Sequence, residues 1–462
     1  MSGKTAYEAI EKYRGELDAL AQDIWANPEG PYVEYNAFEK TKAMLEKHGF
    51  DVEGGSGGVN TAIKASWGSG KPVLAFLGEY DALPGLSQEL GTSKKTVDGQ
   101  VYGHGCGHNL LGVAHVGAVI GLKAEMEEKK LPGTIIYFGC PAEEVLTGKA
   151  FMARGGAFDG IDASIAFHPG TTNTATTGNS IALNSVKLHF KGVTAHAGGD
   201  PHNGRSALDA VEMTNVGANY LREHVTTDVR IHYVITEGGT APNIVPDNAC
   251  VWYYVRAPKR EIVDEVYARL IKVAEGAAHM TETTLEVEFL GGCYQTLNNG
   301  VLVDLTHKAM LEAPQDEWSA EELEFAKKLN DVTPHLQAAA LERLGLPAGT
   351  QLHTGTGGIE TRGNFGSTDV GDVTYIAPGL TFTTACYNIG APGHSWQITS
   401  CSGSSIGEKG MIFAARIMAK FGLDLIEQPE LLEKAWAEFK VSTGGKPYKC
   451  PIPMEIPVPN QN

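Results

Sequence analysis

Residues 7–25 repeat apolar positions at helical spacing up to a stop near Pro28, and residues 37–48 carry a second amphipathic helical pattern that ends at Gly49. Beyond this the period changes. Residues 59–66 and 73–77 read as strands, the long apolar stretch 110–126 as a buried helix, and 134–139 and 163–167 as further strands. Polar clusters follow the strands directly: Glu79, Tyr80 and Asp81, then Glu143 and Glu144, then His168. Open α/β sheets bind their ligands beyond the carboxyl ends of the strands, so one edge of this sheet is expected to collect the chemistry.

From about Asn184 the texture shifts to strand 186–191, helix 206–222, strands 229–236 and 250–255, helix 261–279 and strand 284–290. That order is βαββαβ, a ferredoxin-like sandwich. The expected fold is therefore α/β: a mixed sheet flanked by helices, built discontinuously from 1–184 and 294–462, with 185–293 inserted as a lid or dimerisation domain. In the later part, 319–329 reads as a charged helix and the Gly/Thr-rich stretch 349–366 as a long loop. The proline-rich tail from Lys446 is expected to lie extended on the surface. The glycine-serine run at 54–58 has the spacing of a serine-hydrolase elbow but opens no helix, so it reads as a flexible loop.

With 462 residues, 42% hydrophobic and 20% charged, the chain can bury the core of two or three domains. A net charge of −18 argues against nucleic acid or anionic lipid as partners. No apolar run has the length of a membrane span, and residues 1–10 lack the apolar core of a signal peptide, so the expected location is cytoplasmic. The seven cysteines are scattered and odd in number, unlike a disulfide framework. Cys106 differs from the rest because it lies among glycines and histidines, in Gly103-His104-Gly105-Cys106-Gly107-His108.

Cys106 and His108, Glu144, His168 and His394 each lie just beyond a strand-like run. Thiolate, imidazole and carboxylate donors converging from several strands suit two transition ions that polarise a carbonyl and ionise a shared water. Glu143 and Glu144 after a strand end would repel each other without a cation, which favours reading them as base and ligand. His189, His232, His335 and His353 read as structural or surface residues.

At these residues the chain resembles the metallo-amidohydrolase family of carboxypeptidase G, aminoacylase and hippurate hydrolase, and within it the aminobenzoyl-glutamate branch. The resemblance is carried by Pro28-Glu29, Leu77 to Pro84, Gly103 to Gly112, Cys140 to Glu144, His196 to Gly199 with Asn203 to Leu208, Pro242 to Asp247, Gly366 to Gly371 and Gly393 to Trp396. It implies that Cys106 bridges two divalent ions, manganese or zinc, and that His108, Glu144, His168 and His394 complete their shells. Glu143 would act as general base on a metal-bridged water, with Asp81 orienting a neighbouring group. His196 would reach a partner subunit's site to stabilise the oxyanion, and Asn243 with Arg256 would bind a substrate carboxylate.

The implied activity is hydrolysis of an N-acyl or N-aroyl amino acid, with p-aminobenzoyl-glutamate as the leading substrate. A broader dipeptidase or an aryl-amine deaminating hydrolase is the alternative within enzymes, and a non-catalytic partner subunit the alternative outside them. A homodimer is expected, or a hetero-oligomer with a related subunit. Asn109 replaces the family's aspartate after Cys-Gly-His, Ser367-Thr368-Asp369 replaces Gly-Glu-Asp, and Trp25 replaces a frequent histidine. The first two departures bear on substrate choice rather than on reaction type.

Overall fold

The strand Val73–Glu79 lies between Gly133–Cys140 and Ala163–Gly170, parallel to both. A strand covered on both faces needs an unbroken apolar run, which Leu74, Ala75, Phe76 and Leu77 supply. In this computed structural model, which describes residues 3–459, these strands are the centre of a seven-stranded mixed sheet. Its order is Asp51–Gly54, Ile63–Ser69, Gly133–Cys140, Val73–Glu79, Ala163–Gly170, Gly379–Ala385 and Thr174–Ala175. The first two of the ten amino-terminal residues read for a leader lie outside the described residues.

Alternate side chains feed two cores. Leu74, Phe76, Ile135, Tyr137, Ile165 and Phe167 pack with the helices His108–Lys129 and Ser405–Glu427. Ala75, Leu77, Ile136 and Phe138 pack instead with Phe151, Phe158, Val370 and Val373. This is the period-two alternation of a sheet with helices on both faces.

The inserted segment forms a separate four-stranded antiparallel sheet in the order Arg230–Glu237, Asn248–Ala257, Ala182–Lys191 and Thr284–Cys293. The helices Ala207–Leu221 and Arg260–Thr281 pack on it through a core of its own, including Val186, Leu188, Val251, Val211 and Leu270. The βαββαβ order expected from the pattern is present. The edge strand Arg230–Glu237 leaves Tyr233, Val234 and Ile235 exposed.

Several expectations need correction. The helical pattern at 7–25 is two helices, Lys4–Lys12 and Arg14–Ala26, because Tyr13 leaves helical geometry and sets its ring edge-on to His48. The helix expected at 319–329 is Ala320–Asn330, started by a capping box of Ser319 and Glu322. A further helix, Pro334–Leu344, follows it before the loop. The run at 54–58 is not a loose loop: it turns tightly through Gly55, Gly57 and Gly58, all at positive φ, and a Cβ on Gly57 would stand 2.6 Å from the Met152 carbonyl. Among the described residues, 446–459 of the tail form no helix or strand but are pinned, with Ile452 only 1% exposed and Arg154 donating to the carbonyls of Pro453 and Ile456. Among the described residues no helix is long and apolar enough to cross a membrane.

Candidate metal centre

The sheet register brings the strand ends to one edge. Glu79 is paired with Cys140, and His168 with Thr383. Beyond Cys140 the chain makes the one-turn segment Glu143–Val145 between Ala142 and Leu146, both in the left-handed region at φ 58° and 60°. Non-glycine residues hold that conformation only where their surroundings enforce it. Here Glu34 contributes, accepting a bond from the Ala142 N–H at 2.9 Å. Gly107, at φ 78°, turns the chain into the helix His108–Lys129. That helix sits directly on the strand end, since a Cβ on Gly112 would stand 2.5 Å from the Glu79 carbonyl oxygen.

Five of the predicted ligands meet at this edge. Cys106 Sγ lies 3.2 Å from His168 Nε2. His108 Nε2 lies 3.8 Å from Glu144 Oε1, and His394 Nε2 lies 3.8 Å from Glu144 Oε2. Cys106, His108 and His168 offer ligand atoms within 4.8 Å of one another, as do Cys106, Glu144 and His394. Cys106 belongs to both groups. A third group of Glu79, His108 and Glu143 adjoins them, with Glu143 Oε2 3.7 Å from His108 Nε2. His394, whose side chain is 60% exposed, faces the opening.

Hydrogen bonds orient the imidazoles. The Nδ1–H of His108 is directed at Asp81, 3.0 Å from both Oδ1 and the carbonyl oxygen, which leaves Nε2 as the lone-pair atom. Asp81 Oδ2 in turn accepts the Glu144 N–H at 2.9 Å. His168 Nδ1 is satisfied by the Pro169 carbonyl at 2.8 Å, so its Nε2 faces Cys106.

The electrostatics call for a cation. Burial, with Glu79 and Glu144 beside it, pushes the Glu143 carboxyl well above the usual range, and burial raises Glu144 to about 7. Burial likewise pushes the Cys106 thiol up, with Glu144 adding to the effect. For His108 burial works against charge, but Cys106 and Asp81 outweigh it and raise its pKa. The buried His108 Nε2 and Glu144 Oε1 have no hydrogen-bond partner. Orphaned nitrogen and oxygen atoms beside the Cys106 sulfur, close enough to share an ion, fit divalent metal ions that would hold the thiolate ionised.

The other predicted residues lie elsewhere. His196 and Asn243 are exposed on adjoining loops of the inserted domain, joined by a bridge between His196 and Ile244 and a bond from the Ala197 N–H to the Asn243 carbonyl. His196 Nδ1 accepts the N–H groups of Gly198 and Gly199, leaving Nε2–H as a donor. Both of these bonds lie within its own loop. Arg256 lies at the far end of Asn248–Ala257, over the Tyr254 ring and 3.4 Å from the Phe365 carbonyl. Within one chain the structure does not bring Arg256 to Asn243 or His196.

The sequence pattern assigns no role to Lys149, Glu79, Asp369 or Glu34. Lys149 is fully buried between Glu79 and Asp369. Glu79 and Asp369 do stand in strand-end and loop motifs that could have drawn notice. Nothing in the pattern around Lys149 or Glu34 signals burial.

Comparison with known proteins adds the following. A family model for the peptidase dimerisation domain matches residues 182–281. The chain is 40% identical to one of the subunits of p-aminobenzoyl-glutamate hydrolase from Escherichia coli, over 97% of each chain. It is 28% identical to the mouse Xaa-Arg dipeptidase, covering 95% of this chain and 92% of that one. Among solved structures, a dinuclear metal-binding peptidase of the M20 family from Bacillus subtilis aligns with a TM-score of 0.59 at 16% identity, over 90% of this chain and 99% of that one.

Proposed function

Because the chain belongs to the M20 family of metallopeptidases and amidohydrolases, we propose that it hydrolyses the amide bond of an N-aroyl or N-acyl amino acid, with p-aminobenzoyl-glutamate as substrate. The observation that carries this is the meeting of Cys106, His108, Glu144, His168 and His394 beside the carboxylate of Glu143. The bacterial relative's named substrate supports the choice of amide. A groove of about 500 Å³ lined by Thr171, Leu336, Ala339, Ile389 and Gly393 adjoins His394 and gives room for an aryl group.

Cys106, His108, Glu144, His168 and His394, with Cys106 common to both ligand groups, would hold two divalent ions, manganese or zinc, which would supply Lewis acidity to the amide carbonyl and the attacking water. Glu143, 3.7 Å from His108 Nε2, takes the proton from that water and passes it to the leaving nitrogen. Asp81 keeps His108 in the tautomer that presents Nε2. His196 of a second subunit presents Nε2–H to the developing oxyanion, while Asn243 and Arg256 take the substrate carboxylate. In this reading 1–184 and 294–462 form the metal domain and 185–293 pairs two subunits, as a homodimer or with a related chain. Seven free cysteines suit a reducing, cytoplasmic compartment.

The mammalian dipeptidase relative favours a second reading, in which the acyl half is itself an amino acid. Steady-state rates of the purified single chain, loaded with Mn²⁺ or Zn²⁺, on p-aminobenzoyl-glutamate and on a panel of dipeptides separate the two. Release of p-aminobenzoate at the highest kcat/KM supports the first; a preference for dipeptides replaces it with the second.

A further inference from the structure

Lys149 has no exposed side-chain surface. Its ammonium lies 2.5 Å from Glu79 Oε1 and 2.7 Å from Asp369 Oδ1, and its backbone N–H donates to Asp369 Oδ2 at 2.7 Å. Burying three charges is costly, and replacing such groups by apolar ones is often neutral or stabilising, so fold stability alone gives no reason for this arrangement. The direction of Glu79 gives one. With Oε1 held by Lys149, its Oε2 lies 3.4 Å from His108 Nε2, and Glu79, His108 and Glu143 have ligand atoms within 4.8 Å of one another.

The ammonium also ties together three parts of the centre. Glu79 ends a strand, Lys149 lies in Gly148–Arg154 just after the Glu143–Val145 turn, and Asp369 immediately precedes Val370–Thr374, beyond the inserted domain. The start of the Lys149 helix is wedged against the turn, since a Cβ on Gly148 would stand 1.7 Å from the Pro141 carbonyl oxygen. We propose that Lys149 is a positioning residue that fixes the Glu79 carboxylate against His108 and Glu143, so that ligand and base keep their places during turnover. The inference rests on the roles proposed above for His108 and Glu143.

A double-mutant cycle on the full chain tests it, using Lys149→Met, Glu79→Gln and the pair together. The readouts are Zn²⁺ affinity by chelator competition, kcat and KM separately, and thermal unfolding. Each single variant is expected to lose about 10–100-fold in affinity for at least one ion, with kcat falling and KM little changed. The pair should be no worse than either single variant, as for two residues acting through one contact. The paired variant removes both charges at once, so it keeps the test open if Lys149→Met does not fold; in that case its affinity loss is compared with that of Glu79→Gln. Native Zn²⁺ affinity and kcat in Lys149→Met, or losses that add in the pair, overturn the proposal. A wild-type chain that binds no divalent ion overturns instead the reading beneath it.

Discussion

Arg256 and Asn243 stand toward opposite ends of one strand. Asn248–Ala257 begins a few residues after Asn243 and reaches Arg256 after eight further residues, roughly 27 Å at about 3.4 Å per residue. His196 sits at the Asn243 end, whereas Arg256 lies at the end that meets the metal-bearing part. One chain cannot close both ends on one small carboxylate. Two chains paired about a two-fold axis can, each lending its Asn243 and His196 to the other.

Mixing two inactive variants, Glu143→Ala and His196→Ala, should therefore restore activity once the subunits have exchanged. Some heterodimers then hold one site with both groups intact. Mass measurement confirms the exchange, and confirmed heterodimers without activity would place His196 outside the partner's site.

Glu143→Ala should lower kcat by at least about 10²-fold while both ions remain bound, because in the proposed mechanism this carboxylate moves protons and does not coordinate. Metal analysis of the purified variant is the check. Loss of an ion would make Glu143 a ligand.

Cys106→Ser should lose metal and activity together, since a hydroxyl does not ionise as a bridging thiolate does. Full occupancy at an unchanged rate would remove Cys106 from the bridge.

Stripping the metals should leave a fold that weakens as pH rises. Glu144 at about 7 is raised chiefly by burial, and His108 is raised against burial by Cys106 and Asp81. A raised folded-state pKa gives stability that is present in full below the unfolded value and lost as pH passes the folded one. Burial lowers the pKa of His168 and His394, which opposes this below about pH 6.5, so the apo chain's Tm should fall between about pH 6.5 and 8, by at least about 2 °C, while the metal-loaded chain holds its Tm. Equal pH slopes with and without metal would contradict this account.

Arg256→Ala should lower kcat/KM for the free acid by on the order of a hundredfold, the size of a lost charge-assisted contact of about 3 kcal/mol. The matching neutral ester should be affected far less. Equal losses on acid and ester would remove Arg256 from carboxylate binding.

Four of the candidate ligands were legible because they stand just past a strand or at the start of a buried helix, where an apolar run ends abruptly in a metal donor. Cys106, His108, Glu144 and His168 have that signature, and parallel register does the rest. Lys149 carries no such mark: one lysine in a seven-residue helix looks like any solvated residue until its two carboxylates arrive from distant parts of the chain. The helix Pro334–Leu344 escaped because it buries only Leu341 and so lacks an apolar stripe. Tyr13 interrupts a helical period for a ring contact with His48 that no local pattern encodes. In the tail, proline content suggested the extended backbone but not the burial of Ile452.

Leu183 and Cys293 are register partners, so the inserted domain begins and ends at the same place. This bears on how the chain folds. Strands Ala163–Gly170 and Gly379–Ala385 must pair in parallel across a long intervening chain, and distant pairings of this kind are slow to form. Once the insert has folded on its own core, its closing pair takes roughly half of that chain out of the loop, and each halving lowers the entropy of closure by about 0.6 kcal/mol. An early-folding insert thus shortens the search by which His394, encoded more than two hundred residues after His168, finds the same site.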